Sequence, residues 1–264
     1  MKLLRNSLVG LAIFVLLVAL LVAFLPARWV MPWLQPQLHG VRLQQVHGSV
    51  WDGEASVTTG ADGSLQGRLH WRLSRRLLLG QLHAQWQFDG LQLKSSGVVR
   101  RLPDKRIELQ AVSLDADLAV LGLPSDPQLG QPRGTLQVSV AHALLQGGWP
   151  LQLQARADWS KAAMHTADGD VSLGDLRLQA QSQGGVVMAQ ANDDGRGPLQ
   201  VRGQLQLSPL GWRLDAILHA RHTDPLLQHW LNRLGKPAGD GSVHIQRQGG
   251  LAIPAPMMPQ DLRK

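Results

Sequence analysis

The chain has 264 residues, 44% of them hydrophobic, which is enough to bury a core in one or two domains and too apolar for a disordered protein. Lys and Arg number 26 against 19 Asp and Glu, a formal charge of +7, but the doublets Arg75-Arg76 and Arg100-Arg101 are not part of a basic stripe or a recognised motif, so nucleic acid is not expected as a partner. Cysteine is absent, which excludes disulfides, thiolate nucleophiles and cysteine-ligated zinc while leaving the compartment open.

From Leu8 to Leu25 no charged or strongly polar side chain interrupts "LVGLAIFVLLVALLVAFL". At ~1.5 Å per residue, a helix of that length approaches the ~30 Å hydrocarbon core of a bilayer. A helix also satisfies its own backbone groups in lipid, so a single transmembrane helix is predicted over residues 8–27. Lys2 and Arg5 precede it, which predicts a cytoplasmic N-terminus over residues 1–7 and everything after the span on the far side. Trp29 and Trp33 then fall in a juxtamembrane segment, 28–40, where amphipathic rings favour the membrane interface. A cleaved signal peptide is the rival. Its small-residue site would use Ala23 and Ala27, but Leu25 and Pro26 stand between them.

Beyond Pro36 the apolar residues alternate. Leu69, Trp71 and Leu73 repeat at every second position, as do Leu82, Ala84, Trp86 and Phe88. The pattern returns over 134–142, 150–159, 175–181, 197–207 and 211–220, separated by clusters such as "QGGWP", "DDGRGP" and "SPLG". Period two with turn signals predicts a mainly β, antiparallel, curved multi-strand sheet over residues 41–249, with one face buried and one solvated. Nine tryptophans, no tyrosine and three phenylalanines supply its large side chains, and seven of the tryptophans, from Trp51 to Trp230, read mostly as packing on the buried face. Glutamines occupy the outward positions, a composition that suits a binding scaffold.

A helix interrupts the strands at "TDPLLQHWLNRLG". Asp224 is the expected N-cap, Pro225 the first helical residue and Gly235 the stop, with Leu226, Leu227, Trp230, Leu231 and Leu234 apolar. A weaker helical turn is expected over Asp117–Leu121, and a mobile tail over 250–264. A loose repeat of glycine, strand, tryptophan and returning strand suggests duplicated halves with a seam near residues 123–133, although any meander of hairpins looks repetitive.

The search for chemistry finds little. No nucleophile elbow, zincin, Walker or EF-hand pattern is present. His219, His222 and His229 come nearest to a metal cluster, but they are expected on a strand end, a connection and a helix. The pairs Asp115/Asp117, Asp168/Asp170 and Asp193/Asp194 lie in contexts where Asp bonds nearby backbone in turns. No catalytic, cofactor or metal site is expected, and the chain is not read as an enzyme.

One ordered set of motifs carries a resemblance. Gly48, Trp51 and Gly53 form G-x-x-W-x-G in "HGSVWDGEASV"; Trp71 and Leu73 follow as W-x-L; Gly80 lies in the return "LLGQL". With the helix at 225–234 and the strand in "GDGSVHIQRQGG", the series resembles the type II secretion system protein N family (general secretion pathway protein N, GspN). The resemblance implies an accessory inner-membrane protein of Gram-negative bacteria with one N-terminal span and a β-rich periplasmic domain. It further implies a role in exporting folded proteins, contact with the inner-membrane platform and the outer-membrane secretin, and no cofactor. A more distant likeness to AsmA/TamB proteins makes lipid in an apolar groove the alternative ligand.

Overall fold

The computed structural model describes residues 25–34, 41–59, 65–121, 123, 125–127 and 129–251. Leu8 and nearly all of the predicted span lie outside the described residues, as does the tail from residue 252. Among the described residues no helix is long and apolar enough to cross a membrane. The chain divides into two compact units that meet between Pro103 and Asp104, and the proposed seam at 123–133 lies inside the second.

In the first unit a short helix α1, Ala27–Leu34, precedes strands β1 (Val41–Gly48), β2 (Asp52–Thr59), β3 (Leu65–Leu73), β4 (His83–Gly90) and β5 (Leu93–Arg101). Each strand pairs antiparallel with the next in the chain. Trp51, Ala55, Val57, Phe88 and Ala27 form the buried set. Trp71 and Trp86 face each other across β3 and β4. Their indole N–H groups donate to the Val50 carbonyl at 3.1 Å and to Ser95 Oγ at 3.2 Å, so burying the rings leaves no donor unmet.

The second unit holds β6 (Ile107–Asp117), β7 (Gln131–Gln146), β8 (Trp149–Thr166), β9 (Gly169–Gln183), β10 (Val186–Asp193), β11 (Leu199–Ser208), β12 (Gly211–Ala220), helix α2 (Pro225–Leu234) and β13 (Val243–Gly250). Again every strand is antiparallel to its chain neighbours within the unit. The turns are short because their residues permit it. Gly147-Gly148 and Gly184-Gly185 adopt the positive φ that two-residue hairpins require. The mainly β, antiparallel expectation holds, and so does the single helix in the C-terminal half.

Helix α2 forms where the capping residues place it. Asp224 Oδ1 accepts from the Leu226 and Leu227 amides at 2.9 and 3.2 Å, and Pro225 opens the first turn. Gly235 ends it in ordinary extended backbone; the glycine is needed because a side chain there would press on Val243. Leu227, Trp230 and Leu231 pack onto Ala162, Met164, Val171, Leu173, Leu199, Val201, Leu218 and Val243, each buried large side chain contributing roughly 1.5–3 kcal/mol. The turn at Asp117–Leu121 is not helical. Asp117 ends β6, and its carboxylate and carbonyl accept from the Ala119 and Val120 amides, so the side chain competes with helix for its own backbone.

Candidate functional site

The motif residues converge at one end of the strands of the first unit. Gly48 closes the β1–β2 turn at φ +84°, and a side chain there would strike the Asp52 carbonyl. Trp51 is buried in that turn, and its carbonyl accepts from the Leu73 amide at 2.6 Å. Gly53 lies opposite Trp71, whose ring occupies the space a Gly53 Cβ would need. Gly80 belongs to the same end but to a different device: it caps a 3-10 turn, Arg75–Leu79, at φ +78°. Five of the six motif residues thus build one tryptophan-filled corner, and the sixth terminates the neighbouring loop.

The predicted anchor residues divide differently. The Leu25 carbonyl accepts from the Val50 amide at 3.0 Å, and Pro26 forms a bridge with Ser49. The chain therefore leaves the apolar N-terminal segment at the motif corner. Trp29 is exposed on α1, and Trp33 lies in the same helix.

A second surface comes from the register of the other unit. One row across eight strands reads Val112, Val140, Ala155, Ala180, Ala189, Leu205, Leu214 and Arg247; the next reads Leu114, Val138, Ala157, Leu178, Ala191, Gly203, Ala216 and Ile245. All members are apolar up to the edge residue Arg247. Directly behind them the row Ser113, Ser139, Arg156, Gln179, Gln190, Gln204, Asp215 and Gln246 is wholly polar. Strand alternation sorts the two faces. Helix α2 covers only one end of the apolar face, so most of these two rows stay half-buried and Leu178 is 39% exposed.

The charged groups serve structure. Burial alone would raise the Asp193 carboxyl, yet the Val201 and Gly195 amides and the Arg221 guanidinium, 2.5 Å away, hold it below the usual carboxylate range. Arg156 and Arg177 lower Asp158 in the same way, at 2.8 and 2.9 Å. Asp194 is lowered by the Arg196 and Gly197 amides of its turn. Asp168 pairs with Arg233 of α2, and Asp170 with His165 at 2.6 Å; Asp115 accepts from Gln137 at 3.1 Å. His219 lies on β12, His222 in the connection and His229 on α2, and no group of three or more His, Cys, Asp or Glu suited to a metal occurs among the described residues.

Edges complete the inventory of surfaces. Strand β1, in the first unit, and β13, in the second, stand at the two ends of the strand order, each pairing with a single neighbouring strand.

The family model for the Type II secretion system (T2SS), protein N, matches residues 39–246, well over half of the chain. The chain belongs to the type II secretion system protein N family. Its matched region takes in the motif corner, both apolar rows up to Ile245 and helix α2. The chain is also 28% identical, over 82% of its length and 87% of the relative's, to the Type II secretion system protein N of Vibrio cholerae serotype O1 (strain ATCC 39315 / El Tor Inaba N16961). No solved structure matches it significantly.

Proposed function

We propose that this member of the protein N family is a non-catalytic scaffold of the type II secretion machinery, tethered in the inner membrane and working from the periplasm. Family membership supports the assignment to the secretion machinery. The Leu8–Leu25 stretch, with Lys2 and Arg5 before it, supports a single span with the N-terminus in the cytoplasm. The inner-membrane platform and the secretin are the proposed partners. The sheet offers them the one kind of site that needs no chemistry, an edge strand to which another strand can add.

The test places photoreactive residues at Gln246 and Gln248, both exposed on β13, in cells that secrete. Adducts containing secretion components are expected, and deletion of the gene is expected to stop release of exported proteins. Adducts of lipid alone, with secretion intact, would count against the scaffold. They would favour the second reading, which the two apolar rows support: a lipid chain lying along Val140, Ala155, Ala180 and their neighbours.

A further inference from the structure

The 3-10 turn at Arg75–Leu79 breaks the economy of the rest of the first unit. Leu77, Leu78 and Leu79 stand 39%, 62% and 79% exposed, one after another. They are held there by design of the loop: Ser74 Oγ accepts from the Arg76 amide at 3.3 Å, the Gly80 amide donates to Leu77 at 2.9 Å, and the Gln81 amide donates to Arg76 at 3.0 Å. A capped turn that holds three consecutive leucines in water is an exposed apolar patch of the kind that marks an interaction surface.

Beside it opens a recess of about 810 Å³, lined among others by Arg72, Arg76, His83, Arg100, Arg101 and Leu102. Among the described residues no carboxylate lines it. Arg72 is paired with Asp52 at 3.2 Å in an exposed ion pair, a contact worth little in water and easily exchanged for another anion. Topology puts this recess where the chain joins the apolar segment. Strand β3 ends and β4 begins there, β5 ends there with the Arg101 amide donating to Leu82, and the Leu25 carbonyl and Pro26 are bound to Val50 and Ser49 at the same end. Trp29, 56% exposed, follows within one turn of Pro26.

We propose that this end of the sheet is a membrane-docking surface, in which the arginines of the recess take the phosphates of anionic phospholipids and Leu77–Leu79 enter the boundary of the acyl chains. Basic side chains beside protruding apolar ones are the pattern of proteins that lie on an anionic bilayer. An acidic protein segment could satisfy the arginines, but it would leave three leucines unburied, and the chain's exit toward Leu8–Leu25 brings a bilayer to this end. The inference rests on the proposed span for that last point alone.

The chain has no cysteine, so Leu78→Cys and Leu91→Cys each provide a single site for a polarity-sensitive dye. Leu91 is fully exposed in the β4–β5 turn, at the opposite end of the same sheet. The full chain is reconstituted into vesicles of phosphatidylcholine with or without phosphatidylglycerol, some carrying nitroxide-labelled acyl chains. Expected are a blue shift and quenching at position 78 in the anionic vesicles, with position 91 remaining aqueous. Each of Arg76→Glu, Arg100→Glu and Arg101→Glu weakens the response, by roughly fivefold in surface affinity per arginine removed. An aqueous dye at position 78 in anionic vesicles overturns the proposal. So does equal quenching at both positions, or a blue shift produced only by added polyglutamate. Carbonate extraction reads the span separately. A chain that resists extraction while its Leu78 dye stays aqueous keeps the anchor and loses the docking surface; a chain that is stripped, but whose dye was quenched beforehand, does the reverse.

Discussion

At Gly53 the side chain that is missing matters more than any that is present. A Cβ built there lies 2.5 Å from Trp71 Cζ2 and 2.8 and 2.9 Å from the carbonyls of Ser49 and His47. The ring could swing away, but the carbonyls are fixed at the end of β1 and in the turn that follows it. Gly53→Ala is expected to cost about 1–3 kcal/mol, read as a lower urea midpoint with an unchanged slope. Asp193 makes the complementary case for a residue whose charge is structural. Its carboxyl is held below its unfolded value of about 3.9, so its contribution is fully present above that pH and is lost as the pH falls through the folded value. Acid titration of stability should therefore show a fall below about pH 4 that Asp193→Asn flattens. At neutral pH the same variant leaves the Arg221 guanidinium without its carboxylate, at a cost of up to about 3 kcal/mol; an unchanged acid limb would show that the pair does not form.

Among the elements, those with unbroken alternation were legible. Strands β3, β4, β7, β8, β9, β11 and β12 fall on the stretches where apolar residues repeat every second position, and α2 follows its cap, its proline and its apolar stripe. Strand β13 was read from the family resemblance, while β1, β5 and β6 lack a clean period for specific reasons. Strand β1 carries a register shift between Gln44 and His47, with Gln45 at φ +49°; β6 turns through Ala111 at φ +48°. In β5 the position opposite Trp86 is Gly97, so the indole supplies the bulk that a strand pattern would look for in its partner. The motif corner was legible as a set of residues, but their convergence depends on contacts 18 to 22 residues apart. The leucine-bearing turn was not read as a surface, because "RRLLL" has no strand period and looks like ordinary apolar sequence. Helix α2 separates covered from uncovered sheet, which gives a direct contrast. Leu227→Ala removes a fully buried side chain and is expected to cost about 2–5 kcal/mol. Leu178→Ala, on the open part of the same face, is expected to cost under about 1 kcal/mol. Equal losses in thermal unfolding would mean that the rows are not open.

For the molecule as a whole, orientation in the membrane is the property on which the proposed role turns. Externally added protease on spheroplasts is expected to digest the β-rich body while an epitope fused ahead of Met1 survives; the opposite pattern would reverse the span. The two outer strands also carry features that bear on self-association. Strand β13 carries His244 and Arg247, and β1 is interrupted by its bulge. Both features discourage indiscriminate strand addition, which suits an edge reserved for a particular partner.

The hairpin tips at Gly147-Gly148, Gly184-Gly185 and Pro209-Leu210 all point away from α2, because β7 to β12 run to and fro between that end and the helix. The strands stay paired out to those tips, but only the far end carries the packing of α2. Amide protons close to Leu227 should exchange last and those near the tips first, because buried apolar packing is confined to one margin of the sheet.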